Sequence, residues 1–145
     1  MAVNYRKFNC TAEQVFAVLE NGWLYPTWVV GASRMRDLDA SWPAVGSRLH
    51  HSVGVWPALL DDSTSVLEWQ APRHAMLKAR GWPIGEAHVT IDIQDRDSGC
   101  LVRITEDVVA GPARLIPTPL SDLAIGYRNT ETLRRLAYLA EGHAD

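Results

Sequence analysis

Three polar residues stand among apolar neighbours where a buried face is expected: His51, Glu106 and Asn129. Read as strands, 47–55 puts His51 on one face with Leu49, Val53 and Val55, and 100–108 puts Glu106 with Val102, Ile104 and Val108, because strand side chains alternate between faces. Read as a helix, 118–142 puts Asn129 on a stripe with Ile125, Gly126, Leu133, Leu136, Ala137 and Ala140, with Arg128, Glu131, Arg134, Arg135 and Tyr138 opposite. If the three converge, an imidazole, a carboxyl and a carboxamide supply the donors and acceptors that orient a ligand in an otherwise apolar pocket. In apolar surroundings Glu106 would resist ionisation and serve as a general acid or base, with His51 as the other candidate catalytic group. An Arg partner would instead hold Glu106 charged and structural. The alternative for each is simple satisfaction of a buried group. The expected lining is His51, Val53, Leu77, Val89, Ile91, Ile104, Glu106, Ile125, Asn129 and Leu133.

Other chemistries lack their signatures. His50 and His51 are adjacent, so they point to opposite faces of a strand and cannot share a metal, while His74, His88 and His143 stand apart without ligand spacing. No metal is expected. The chain contains no G-x-S-x-G elbow, no G-x-G-x-x-G opening a helix, no phosphate loop and no paired-cysteine motif, so no cofactor is expected either. Cys10 and Cys100 read as reduced structural thiols.

The elements that must position these residues follow from patterning. A chain of 145 residues, 47% hydrophobic and 21% charged, suits one domain spanning 1–145. A net charge of −3 without a run of Lys or Arg gives no footprint for nucleic acid or an anionic membrane. No apolar run approaches the roughly 18 residues needed to span a bilayer, and the first residues lack the apolar core of a signal peptide. The expectation is a cytoplasmic protein without stable membrane insertion. Residues 3–9 read as a strand, and Thr11 and Gln14 stand at capping-box spacing before a short helix that Asn21 and Gly22 end. A second brief helical turn lies within 23–28. Strands are expected near 32–38, 47–55, 63–70, 74–81, 86–94 and 100–108, with reversals at 42–46, 71–73 and 95–99. The clearest alternation sets Ala87, Val89, Ile91 and Ile93 against His88, Thr90, Asp92 and Gln94. The segment 110–117 connects the last strand to the helix and would border a pocket mouth. That helix has Thr118 as cap, Pro119 in its first turn and Gly142 as left-handed stop. The six Trp suit a thick core or a pocket for a flat ligand; Trp23, Tyr25 and Trp28, and Trp56, Trp69 and Trp82, stand where an entrance could be lined.

Thr11–Phe16, Tyr25–Gly31, Trp42–Ser47 and Arg128–Leu133, in that order and spacing, resemble bacterial members of the SRPBCC superfamily, the START-like, polyketide cyclase/dehydrase-related proteins. The likeness runs from about Tyr5 to Gly142. It implies an α+β helix-grip fold: a curved seven-stranded antiparallel sheet wrapped around a long C-terminal helix, with two short helices after the first strand. The superfamily has no shared catalytic motif to carry over, so function must be read from the site. The reading is binding of a small hydrophobic molecule, a lipid, quinone or polyketide-like compound, between sheet and helix. The alternatives are a polyketide cyclase or aromatase using the same pocket, and an interaction domain with a filled core.

Overall fold

The computed structural model describes residues 1–53, 59–81 and 85–142; the expectations placed on Val55, Trp56, Trp82 and His143 lie outside them. Strand β1 (Ala2–Phe8) is followed by α1 (Ala12–Glu20), a 3-10 turn (Gly22–Leu24) and α2 (Tyr25–Trp28). Next come β2 (Ala32–Leu38), β3 (Arg48–Val53), β4 (Leu60–Gln70), β5 (His74–Gly81), β6 (Gly85–Arg96) and β7 (Gly99–Ala110), then a second 3-10 turn (Pro112–Leu115) and α3 (Thr118–Gly142). The strands form one antiparallel seven-stranded sheet in the order β1-β7-β6-β5-β4-β3-β2, the helix-grip arrangement. It is a hairpin meander from β2 to β7 that β1 closes by pairing with β7, Ala2 opposite Glu106 and Phe8 opposite Cys100. The register slips twice between β2 and β3, once between β4 and β5 at Val66/Glu68, and once between β6 and β7 at Glu86/Ala87. Such irregularities bend strands and sharpen twist, which is how a sheet curves around a helix.

Local signals set the element ends. The Thr11 side chain accepts from the Gln14 backbone while the Gln14 side chain accepts from the Thr11 backbone, a complete capping box at the start of α1. Gly22 after α1 is required by packing: a Cβ there would come within 2.6 Å of both Leu38 and Leu49 side-chain carbons. At the far end Gly111, with φ of 90°, turns the chain out of β7 in a conformation that L side chains rarely adopt. Helix α3 has the expected span, but two end details differ. The carbonyl of Pro117, not of Thr118, accepts from Leu120 and Ser121, both at 3.0 Å, and Gly142 is the last helical residue rather than a left-handed stop.

Hydrogen bonds fasten α3 to the edge strand along its length. The Met1 amine donates to Asp122 at 2.9 Å, Asn4 Nδ2 to the Gly126 carbonyl at 3.0 Å and to Thr130 Oγ1 at 3.2 Å, and the Asn9 backbone to Glu141 at 2.9 Å. The side chain of Asn4 therefore lies over Gly126. The buried residues of α3 begin only at Asn129 and continue through Thr132, Leu133, Leu136, Ala137 and Ala140. The apolar ones, Leu133, Leu136, Ala137 and Ala140, pack with Phe8, Val15, Phe16, Leu49, Ile91, Ile93, Val102 and Ile104 in one cluster. Trp69 sits edge-on to Phe16 at 5.2 Å and to Trp42 at 6.1 Å, so these two tryptophans serve the core, while Trp23 is exposed. One end of the space between sheet and helix is thus filled.

Leu133→Ala or Leu136→Ala is expected to lower the free energy of denaturant unfolding by about 2 to 5 kcal/mol, the cost of truncating a fully buried Leu. Leu123→Ala, on the exposed side of the same helix, should stay within about 0.5 kcal/mol.

Candidate functional site

The other end of that space is hollow. A cavity of about 540 Å³ lies between the N-terminal half of α3, α2 and strands β3, β5, β6 and β7. Packing defects hold a few water molecules at most; this volume is in the range of a ligand site. Its walls are mainly aliphatic, with Val53 from β3, Leu77 and Ala79 from β5, Val89 from β6, Ile104 and Val108 from β7, and Ile125 from α3. Ile116 and Leu120 line it while remaining exposed, which puts the connector between β7 and α3 at the mouth. Leu115, Leu123 and Tyr127 extend the exposed apolar surface beside it.

Of the expected lining, His51, Val53, Leu77, Val89, Ile104, Glu106 and Ile125 face the cavity. Ile91, Leu133 and Asn129 do not. Ile91 and Leu133 occupy the same faces but lie deeper, in the packed end against α1. Asn129 is buried behind the wall, where its Nδ2 donates to Glu106 Oε1 at 3.2 Å. The other oxygen of Glu106 accepts from Arg128, which lines the cavity too. Arg128 had been placed on the solvent face, and it is 40% exposed, but its long side chain reaches round the helix edge to a carboxylate only 8% exposed. Both Glu106 oxygens are therefore engaged. On the same side of the helix Glu131 pairs with Arg134 and Arg135, at 2.7 to 3.0 Å.

A second polar group closes the inner end. His51 is 2% exposed, and its Nε2 lies 2.8 Å from Thr64 Oγ1, which lies 3.1 Å from the Tyr25 hydroxyl. Tyr25 also stacks on the His51 ring, with centroids 5.3 Å apart, and meets Trp28 edge-on at 5.5 Å. Burial pushes the Tyr25 phenol up, and the Glu106 carboxylate raises it further. Burial also lowers His51 to about 4, so its ring is neutral near pH 7. Tyr25 and Trp28, expected only where an entrance could be lined, belong to the lining itself; Arg128 was absent from the expected lining, and so was Thr64, which bonds His51 without lining the cavity. The signal for the first two was the i, i+3 spacing of aromatics on one short helix. For Thr64 the signal lay in strand register, which a single sequence does not carry.

Two further histidines lie outside the cavity. His74 bridges Asp92 at 2.7 Å and Glu68 at 2.9 Å, and His50 meets Asp39 at 2.8 Å. Among the described residues no group of three or more His, Cys, Asp or Glu is placed to hold a metal. Cys10 and Cys100 are buried free thiols, and burial raises Cys10 to about 12. Among the described residues no helix is long and apolar enough to cross a membrane.

Comparison with known proteins agrees with this architecture. A family model described as polyketide cyclase/dehydrase and lipid transport matches residues 3–141. A Nitrosomonas europaea protein, NE0264, superposes with a TM-score of 0.71 at 15% identity, over 98% of this chain and 94% of that one. A Rhodobacter sphaeroides protein does so with a TM-score of 0.72 at 20% identity, over 97% and 91%. The di-domain ARO/CYC StfQ from the steffimycin biosynthetic pathway gives a TM-score of 0.73 at 10% identity, this chain covering half of it (98% and 50%). At these identities the structural likeness speaks for the fold. No curated protein matches the chain.

Two outcomes follow from the polar groups. Glu106→Gln puts an amide N–H against Arg128 or Asn129, and unfolding stability should fall by about 1 to 3 kcal/mol, whereas Glu131→Gln on the exposed face should change little. The His51 pKa is depressed in the folded state, so between about pH 6.5 and 4 the unfolded chain binds a proton that the native protein refuses. Stability is thus full above about 6.5 and lost as pH falls toward 4, by about 2 kcal/mol between about pH 7 and 5. Denaturant unfolding at the two pH values should show this slope in the native protein and lose it in His51→Gln. His74, raised chiefly by its hydrogen bond to Asp92, acts in the opposite direction and above that window.

Proposed function

The chain belongs to the polyketide cyclase/dehydrase and lipid transport family, and from that premise we propose that it binds a small hydrophobic molecule, of lipid, quinone or polyketide-like character, between sheet and C-terminal helix. The observation that carries this reading is the 540 Å³ cavity with aliphatic walls and a mouth at Ile116 and Leu120. A wall of this kind gains most by covering apolar surface, while a few placed polar groups fix orientation. Carriage suits the geometry better than cyclase chemistry. Glu106 has both oxygens occupied by Arg128 and Asn129, and His51, lowered to about 4, is a weak base near neutral pH.

Titration with the neutral fluorophore N-phenylnaphthylamine is expected to give a saturable rise in emission from cooperatively folded protein. Ligand at roughly 100 times Kd should stabilise the fold by about 2.7 kcal/mol. Val89→Trp, which fills part of the cavity, should weaken the probe at least about tenfold with folding retained. A well-folded sample without saturable signal would instead favour an interaction domain.

A further inference from the structure

The charges in the cavity wall cancel. Arg128 is held by Glu106, and Arg80 lies 3.1 Å from Glu86, with all four residues lining the cavity. His51 adds no charge near neutral pH, because burial keeps its ring unprotonated. A carboxylate or ammonium drawn inside would have to break one of these pairs or stay uncompensated in a poorly hydrated space. The wall nevertheless keeps hydrogen-bonding capacity at one end. His51 Nδ1 and Trp28 Nε1 are buried without a hydrogen-bond partner among the described residues, and both side chains line the cavity. Indole N–H only donates. The Tyr25–Thr64–His51 chain can run in either direction, so the second His51 nitrogen either donates or accepts.

Building on the binding reading above, we propose that the cavity selects an uncharged apolar molecule carrying a carbonyl or hydroxyl oxygen, with that oxygen at the inner end against Trp28 and His51. Both nitrogens are closed to solvent, so engaging the oxygen requires each ring to turn. The drive for that turn is the cost of a buried polar atom without a partner. The class is ketones, phenols and quinones, as opposed to free fatty acids and amines.

Three probes on one ring system test this: fluorene, fluorenone and fluorenecarboxylate, titrated into the full chain. Fluorenone is expected to bind at least about tenfold more tightly than the carboxylate, the ratio one ordinary hydrogen bond or one unpaired charge sustains. In His51→Phe, which keeps a ring against Tyr25, the ratio of fluorenone to fluorene affinity should fall toward one. A readout independent of that variant is the Trp28 indole N–H resonance, identified by its loss in Trp28→Phe. It should move downfield with fluorenone and stay in place with fluorene. Carboxylate binding as tight as the ketone, or an indole resonance indifferent to fluorenone, overturns the selection while leaving the cavity as a binding site. Failure of all three probes to bind saturably overturns the cavity reading itself, and this inference with it.

Discussion

A helix about 10 to 12 Å across cannot cover a sheet of seven strands spaced about 4.8 Å apart, and the rest of this structure depends on that mismatch. Curvature brings more strands to the helix, and α1 with α2 fills one end, where Phe16, Leu19 and Tyr25 meet the sheet. At the other end nothing comparable is inserted among the described residues. There α3 lines the space with Ser121, Ala124 and Ile125, while Arg128 is drawn aside to Glu106. The cavity is the part of the sheet's inner face that the helices leave uncovered, and its position is set by where the large buried apolar side chains of α3 begin, at Leu133.

Much of this was legible in the residues because it is local. Period-two alternation in β6 and β7 identified the inner face, and the capping pair Thr11 and Gln14 fixed the start of α1. Face, however, is not depth. Val89 and Ile91 belong to one face of one strand, yet the first lines the cavity and the second is sealed in the core, because only the second lies under α1 and the leucines of α3. Nothing in a strand's own period distinguishes them. The same limit applies to Arg128: a helical wheel turns it about 100° away from Asn129 and off the apolar stripe, but its flexible stem spans the edge of the helix to reach a carboxylate 22 positions earlier. Tertiary placement decided these cases.

The polar residues inside therefore divide into two kinds. Glu106 is tied to Arg128 and Asn129, two neighbours on α3, and so links β7 to the helix across the gap. That link matters because the helix has few large apolar contacts at this end, and it helps keep the roof at a fixed height. Tyr25, Thr64 and His51 instead connect α2, β4 and β3, and they close the inner end without a formal charge. One set supports the cavity; the other gives it a polar end.

The irregular pairing of β2 has a consequence beyond curvature. As the last strand in the sheet order, β2 has no neighbour on its outer side among the described residues, and an open edge of this kind invites another chain to add a strand. Here the register slips twice within one short strand, and charged side chains stand along it. Arg36 folds inward to the carbonyls of His51 and Asp62, and Arg34 to Ser52. An incoming strand would find neither a continuous ladder nor a flat apolar surface. A protein that keeps a hollow, hydrophobic interior needs such protection against self-association, and in this fold the bends that shape the hollow also spoil the edge as a template for amyloid-like growth.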